Sequence, residues 1–223
     1  MSVAMTPAEI GLPGGFAGAV IQPSDAGYVL NEVTLADGSF RRLDFAVSAS
    51  WPAVSPKGGK LAYGSSSAKG NIWRKDLLHP NAPSVKLISS TRDQDEAQYS
   101  PDGKHIAFQS DRSGSLEIWM SDSDGNNLVQ LSKLNDAGVP RWSPDGKKVA
   151  FNTRSGGFQV SILDLGSGAT RTVGEGQDPV WGADSRHLIF STGGTLILLD
   201  TQTGQRTTLV SGLGKISEPT WSR

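Results

Sequence analysis

The chain has 223 residues, of which 36% are hydrophobic and 27 are glycine, so it can bury a sizeable core but suits short strands and turns better than long helices. Its 21 basic and 22 acidic residues give a formal charge of -1, which provides no overall attraction to nucleic acid or to an anionic membrane. Cysteine is absent, which excludes disulfides, thiolate metal sites and thiol nucleophiles.

The first segment, residues 1–15, is expected to form a poorly ordered N-terminal arm ahead of a single domain over residues 16–223. It lacks a basic stretch followed by an apolar one, so as written it is not predicted to be a secretory signal. No run of 18 or more apolar residues occurs in the chain, and we therefore expect no insertion into a membrane.

Three strands are predicted next, at residues 16–22, 28–35 and 40–43. They correspond to the second, third and fourth strands of the repeated unit described below. A first strand is missing before them.

A short turn motif recurs through the rest of the chain. In each copy an apolar or aromatic residue precedes a tight polar turn, and successive copies are 39 to 45 residues apart. The copies lie at residues 54–58, 99–103, 142–146, 181–185 and 221–223. A fixed period in this range indicates one supersecondary unit that is repeated, as in β-propellers.

The copy at residues 142–146 shows what one unit contains. Its turn is favourable because Pro144 presets φ and Gly146 tolerates positive φ. Around it four strands are predicted, the last more polar than the others, at residues 139–143, 148–152, 159–164 and 169–173. The other copies repeat this order, which predicts four complete blades of four antiparallel strands over residues 51–210.

The two ends of the chain complement each other. Residues 218–222 supply a first strand with nothing after it, and the strands near the N-terminus lack a first strand. An open ring would leave unpaired strand edges. We therefore predict an all-β, five-bladed propeller that closes when the C-terminal strand pairs with the N-terminal strands. The alternative is a truncated six-bladed parent.

The repeats resemble those of the TolB-type, WD-repeat-like propeller family, most closely at residues 99–114 and 142–151. In that family, the periplasmic TolB proteins bind the peptidoglycan-associated lipoprotein Pal and other envelope partners through one face of the propeller. The resemblance therefore implies a periplasmic protein, with the cytoplasm as the alternative, that binds a protein or peptide partner whose identity the sequence does not give. TolB has six blades and a preceding α/β domain, which are not evident in this chain. Related propellers also accompany prolyl-oligopeptidase-like hydrolases and bacterial regulators, so an accessory or sensor domain is the alternative function.

A search for catalytic patterns predicts no catalytic residue, metal site or cofactor. There is no Gly-x-Ser-x-Gly nucleophile elbow. His105 and His187 occupy equivalent solvent-facing positions of different blades, and His79 lies elsewhere, so a shared metal or base site is not expected. Residues 122–126 and 212–215 lack the full calcium-loop and phosphate-loop patterns and are interpreted as turns. The chain is therefore predicted to be a non-catalytic, monomeric scaffold for a protein or peptide.

Alignment of the copies identifies the residues that begin each first strand and should surround one mouth of the central channel. Four positions before the turn stand Trp51, Glu96, Val139, Asp178 and Glu218. One position earlier stand Ser50, Asp95, Gly138, Gln177 and Ser217.

The acidic residues of these two sets suggest a binding mouth. We predict that Asp95, Glu96, Asp178 and Glu218 gather near one opening with Trp51 beside them, because converging carboxylates make the local potential negative. Such a mouth would suit a cationic or amide-rich ligand, either a peptide segment or a metal ion. The alternative interpretation is that these acids are solvated loop residues.

The aromatic residues that precede the turns are predicted to be inter-blade core rather than ligand platforms; they include Trp142, Trp181 and Trp221. Trp73 and Trp119, which match in the third strands, receive the same interpretation. In the loop after residue 110, we expect Asp111 and Arg112 to form local hydrogen bonds that hold the outer hairpin.

Overall fold

The computed structural model describes residues 3–4, 16–24, 27–34, 39–47, 49–56, 59–67, 69–79, 81–154, 156–212, 214 and 219. These residues form 20 strands, which pair into five four-stranded antiparallel sheets. No helix occurs in this part of the chain, and hence none of membrane-spanning length and apolarity. The predicted all-β class is confirmed, and the number of sheets agrees with the predicted five blades.

Each sheet is one blade, and within each the strands pair in chain order from the first to the fourth. Blade 1 contains β1 (Val3–Ala4), β2 (Phe16–Ser24), β3 (Gly27–Thr34) and β4 (Phe40–Val47). Blade 2 contains β5 (Ala49–Val54), β6 (Lys60–Ser67), β7 (Lys69–Asp76) and β8 (Val85–Ile88). Blade 3 contains β9 (Gln94–Tyr99), β10 (His105–Ser110), β11 (Glu117–Asp122) and β12 (Val129–Gln130). Blade 4 contains β13 (Ala137–Trp142), β14 (Lys148–Thr153), β15 (Gln159–Asp164) and β16 (Thr170–Glu175). Blade 5 contains β17 (Gln177–Trp181), β18 (His187–Thr192), β19 (Thr195–Asp200) and β20 (Arg206–Val210).

The repeated turn is stabilised by bonds within a few residues of sequence. In blade 4 the Ser143 hydroxyl donates to Asp145 Oδ1 at 2.6 Å and accepts the Lys148 N–H at 2.9 Å. Asp145 Oδ1 also accepts the Lys147 N–H at 3.1 Å, and Gly146 adopts a φ of 70°. Because serine, aspartate and glycine meet these demands locally, the motif predicts the turn without knowledge of the rest of the chain.

Blade 1 begins with a short strand that lies in the predicted N-terminal arm. β1 pairs with β2 through Val3 and Val20 and through Ala4 and Ala19. It therefore occupies the edge of β2 at which the C-terminal strand was expected. The predicted C-terminal strand at 218–222 falls, except for Pro219, outside the described residues.

The core lies between blades rather than within one of them. The second strands supply aromatic side chains that are at most 3% exposed, namely Tyr63, Phe108, Phe151 and Phe190. One cluster joins Ala150 and Val160 of blade 4 to Trp181 and Leu188 of blade 5. Burial of such side chains stabilises each by roughly 1.5–3 kcal/mol, which makes each blade depend on its neighbour.

The predicted inter-blade role of the tryptophans is confirmed where they are described. Trp142 and Trp181 are buried, and each indole N–H donates to a carbonyl of the preceding blade: Gln98 O at 3.2 Å and Arg141 O at 3.1 Å, respectively. Trp73 and Trp119 are partly buried against the core clusters. Trp221 lies outside the described residues.

Candidate functional site

The candidate site lies on one face of the blades, here called the connector face. It is formed by the loops between second and third strands and by the segments that link one blade to the next, which include residues 89–93, 111–116, 131–136, 156–158, 176 and 193–194. Because the strands are antiparallel, these segments lie at the same ends of the sheets. The opposite face, here called the turn face, carries the repeated turns and the loops between third and fourth strands, which include residues 143–147, 165–169, 182–186 and 201–205.

Each described first strand of blades 2 to 5 enters from the connector face through a β-bulge. The bulge residues are Trp51, Glu96, Val139 and Asp178, with φ values of 49°, 52°, 59° and 56°. At each of them the pairing between first and second strands shifts register. These are the aligned positions that the sequence singled out. Positive φ is unusual for residues other than glycine, and such strain is concentrated at binding and catalytic sites.

The sequence favours a bulge at this position for a local reason. The next residue is proline in blades 2, 4 and 5, as Pro52, Pro140 and Pro179, and Ala97 in blade 3. Proline has no N–H to lose from the ladder, so it is tolerated where a bulge interrupts pairing. A buried aromatic residue of the second strand lies opposite each bulge, which fixes the position of the strand against the core.

Amide side chains of the preceding blade hold two of the bulges. The Val139 N–H donates to Gln109 Oε1 at 2.9 Å, and the Asp178 N–H donates to Asn152 Oδ1 at 3.1 Å. Gln109 and Asn152 occupy the same position of β10 and β14. Gln109 Nε2 also donates to Asp95 Oδ1 at 2.5 Å. The bulges are therefore parts of the blade interfaces.

The residues predicted to form the acidic mouth have different surroundings. Trp51, Glu96 and Asp178 occupy equivalent bulges, and the first strands of adjacent blades pack against one another. Glu96 is buried, with its Oε2 3.5 Å from Nη1 of Arg141 in blade 4, so its charge is compensated at the blade interface.

The other three acids of the predicted mouth differ from Glu96. Asp95 is half-buried, and this burial raises the pKa of its carboxyl group, an effect that the hydrogen bond from Gln109 opposes in part. Asp178 is half-buried, and Glu218 lies outside the described residues. No group of three or more histidine, aspartate or glutamate side chains arranged for a metal ion occurs among the described residues.

A cleft of about 770 Å³ opens between blades 4 and 5 on the connector face. Half of its lining residues are glycine: Gly156, Gly157, Gly176, Gly193, Gly194 and Gly214. The others are Phe158, Gln159, Glu175, Gln177, Ser191 and Thr192. Gln177 directly precedes the bulge residue Asp178, so the cleft adjoins the bulge of blade 5.

The cleft exists because the loops here are short and lack side chains. Blade 5 turns from β18 to β19 through Gly193 and Gly194 alone, with φ values of 53° and 80°. Blade 3 uses six residues, 111–116, for the same connection. Gly176 lies so close to blade 5 that a Cβ there would be 2.6 Å from Ser191 O, and its N–H donates to Phe158 O at 2.9 Å. A larger residue at this position would push the two blades apart.

The sequence interpretation missed this cleft. The paired glycines at 156–157 and 193–194 in two consecutive second-to-third loops were the signal that could have revealed it.

A second feature that was missed is the carboxylate of Glu117, which is 1% exposed. It accepts hydrogen bonds from Ser132 Oγ at 2.5 Å, Leu134 N at 2.8 Å and Asn135 N at 2.7 Å. These donors belong to the segment that links blade 3 to blade 4. Glu117 therefore positions that connector, which leads into the Val139 bulge.

For the side chains, the predicted local bonding holds only for Arg112, whose Nε donates to Ser110 Oγ at 3.1 Å. The other side-chain bonds of Asp111 and Arg112 reach residues 18 positions earlier, near the start of the first strand. Asp111 Oδ1 accepts the Asp93 N–H at 2.9 Å, and Arg112 Nη2 donates to Gln94 Oε1 at 3.0 Å. The Arg112 guanidinium also stacks over the Phe108 and Trp119 rings, at 5.0 and 5.1 Å from their centroids.

The three histidines are separate, as expected. His79, His105 and His187 each lie near a different aspartate, namely Asp76, Asp122 and Asp184. His187 and the neighbouring main-chain N–H groups bond to Asp184 and lower its pKa to about 2. This arrangement stabilises a turn of blade 5 on the turn face.

Comparison with known sequences identifies the family. A sequence profile of the TolB beta propeller domain matches residues 33–223. The chain belongs to the TolB beta propeller domain family. The resemblance noted in the repeats is thereby confirmed.

Solved structures show the same fold. This TolB-type propeller is similar to TolB from Acinetobacter baumannii, with a TM-score of 0.82, 24% identity and coverage of 98% of this chain and 56% of that one. A TolB structure from Agrobacterium tumefaciens gives a TM-score of 0.70, 19% identity and coverage of 86% and 76%. A puromycin hydrolase mutant gives a TM-score of 0.66 at 19% identity, with coverage of 89% of this chain and 37% of that one. The chain thus spans about half the length of the Acinetobacter protein, and these likenesses concern the fold.

Proposed function

We propose that this TolB-type propeller is a non-catalytic scaffold that binds a protein or peptide segment at its connector face. The observation that carries the proposal is the cleft of about 770 Å³ beside the bulge residue Asp178. Ligand sites in proteins usually have volumes of roughly 300–1,000 Å³ and few convergent polar groups.

The lining of the cleft favours binding over chemistry. Its Ser191 hydroxyl donates to the main-chain carbonyl of Gln177 at 3.3 Å, and the described residues that line the cleft include no histidine. The remaining polar side chains are Gln159, Glu175, Gln177 and Thr192. Amide, hydroxyl and main-chain groups of this kind recognise other amide groups, as a peptide offers.

We propose a periplasmic setting, an envelope protein as the partner and a monomeric propeller. The likeness to TolB structures supports the periplasmic setting. The rigid blade interfaces suit this role, because a scaffold that does not rearrange loses little conformational entropy when it binds.

The proposal is tested with a displayed library of random peptides selected against the purified chain. Peptides that are enriched are then titrated by fluorescence anisotropy against two variants, Gly193→Asn and Gly204→Asn. Both glycines have positive φ, 53° and 78°, and open space at the Cβ position, and asparagine tolerates this conformation. Only Gly193 lines the cleft, whereas Gly204 lies on the turn face.

We expect Gly193→Asn to weaken binding about tenfold or more, which corresponds to about 1.4 kcal/mol, and Gly204→Asn to leave it unchanged. Failure to enrich any peptide above the bare matrix would overturn the proposal. Equal binding to both variants and to the unmodified chain would overturn it as well.

A further inference from the structure

The walls of the cleft expose main chain. At Gly156, Gly157, Gly193 and Gly214 no atom of the described residues beyond the chain neighbours lies within 4 Å of the place where a Cβ would be. Glycine at such positions allows another backbone to approach closely. An extended peptide can bind to such exposed main chain, because its own N–H and C=O groups form hydrogen bonds with main-chain groups.

The cleft also carries an uncompensated negative charge. Glu175 is exposed at the end of β16, and the ion pairs among the described residues do not include it. Two cations lie nearby: Arg154 is paired with Asp136 at 3.4 Å, and the guanidinium of Arg206 donates to Val173 O. Glu175 is the one charged side chain among the described residues that line the cleft.

Phe158 supplies the apolar part of the lining. Its side chain is 49% exposed, although the Arg154 guanidinium carbon lies 5.8 Å from the ring centroid. A lysine or arginine side chain combines an alkyl stem, which can pack on an aromatic ring, with a charged head, which can reach a carboxylate. These two features match Phe158 and Glu175.

We propose that the cleft between blades 4 and 5 selects an extended segment of the partner that carries a lysine or arginine side chain, with Glu175 receiving the cation. This inference rests on the proposed function and adds the chemistry of the partner. Neutral segments bind the same main-chain walls more weakly, because they leave the carboxylate of Glu175 without a counter-ion.

The test compares random-peptide pools selected against three proteins: the unmodified chain, Glu175→Gln, and Asp44→Asn. Asp44 is a control of equal charge change, with a side chain that is 83% exposed on β4 of blade 1. We expect lysine and arginine to be enriched in the pools from the unmodified chain and from Asp44→Asn, and this bias to disappear with Glu175→Gln. An individual basic peptide should bind Glu175→Gln about tenfold more weakly, and its Lys→Gln version should bind the unmodified chain and Glu175→Gln equally.

The outcomes separate the two proposals. Enriched pools without a basic bias, or with the same bias for Glu175→Gln, overturn the inference and leave the peptide-binding function standing. Failure to enrich any peptide overturns both.

Discussion

Gln109 of blade 3 holds the backbone of Val139 in blade 4, because its Oε1 accepts the Val139 N–H at 2.9 Å. The other end of the same amide donates to Asp95 Oδ1 at 2.5 Å. One side chain thus joins the Asp95 carboxylate to the strained bulge of the next blade. Gly138 makes room for it, since a Cβ there would lie 2.3 Å from Gln109 Oε1.

Removal of this side chain should weaken the interface between blades 3 and 4. Gln109→Ala leaves the Val139 N–H and the Asp95 carboxylate without their partner, and we expect the free energy of unfolding to fall by about 1–3 kcal/mol. Urea denaturation monitored by tryptophan fluorescence measures this free energy. Gln205→Ala, at an exposed position of the turn face, serves as the control and should change it by less than about 0.5 kcal/mol. Equal effects of the two substitutions would contradict the role given to Gln109.

The bulge conformation costs stability at Val139, because a β-branched residue is strained at a φ of 59°. Val139→Gly should therefore keep the free energy of unfolding within about 1 kcal/mol of the original value, or raise it, since relief of strain offsets the lost packing. Val180→Gly removes an equally half-buried valine from an ordinary strand position and should cost about 2 kcal/mol. Urea titrations of both variants test this difference. A larger loss of unfolding free energy for Val139→Gly than for Val180→Gly would contradict the claim that Val139 is strained.

The charge of the half-buried Asp95 should also cost stability at neutral pH. Burial raises the pKa of this carboxyl group, so the folded protein holds the proton more tightly than the unfolded chain does. This tighter proton binding stabilises the folded protein fully at pH values below the pKa of the carboxyl in the unfolded chain, about 3.9. The stabilisation is lost as the pH rises through the higher pKa of the same group in the folded protein. Asp95→Asn keeps an acceptor for Gln109 and should raise the urea midpoint at pH 7.

The rise in urea midpoint caused by Asp95→Asn should shrink as the pH is lowered below about 4, because the carboxyl group of Asp95 is then neutral in both the folded and the unfolded chain. The midpoints at pH 7, 5 and 3.5 measure this trend. A midpoint difference that is independent of pH would show that Asp95 is not destabilised by its charge.

The Glu117 carboxylate is surrounded by donors, and an amide cannot replace it. Glu117→Gln turns an NH₂ group toward Ser132, Leu134 or Asn135, all of which donate to the native side chain. We expect a loss of about 2–3 kcal/mol in the free energy of unfolding. Gln159→Ala at the equivalent position of blade 4 should cost less than about 1 kcal/mol. A Glu117→Gln protein as stable as the original would rule out the proposed anchoring of the connector.

The blades could be predicted because their signals are local. Ser143, Asp145 and Lys148 form the turn within six residues of sequence, and β15 matches its predicted range at both ends. Boundaries were less accurate where the fourth strand is exposed. In blade 4 the fourth strand was predicted at residues 169–173 and is observed at Thr170–Glu175.

The candidate site could be predicted only in part. Repeat alignment identified Val139 and Asp178 as equivalent, but it did not predict the bulge at these positions. The bond from Gln109 to Val139 spans 30 residues and depends on how two blades pack, which no local pattern encodes. The same holds for Glu96, whose charge looked available in the sequence but is compensated by Arg141 across a blade interface.

The most direct test of the binding face is amide hydrogen exchange of the chain with and without a saturating selected peptide. We expect the peptide to slow exchange at residues 156–159 and 193–194, which line the cleft, and to leave residues 165–169 and 201–205 of the turn face unchanged. Protection confined to the turn face or to the outer strands would contradict the assignment of the connector face as the binding surface.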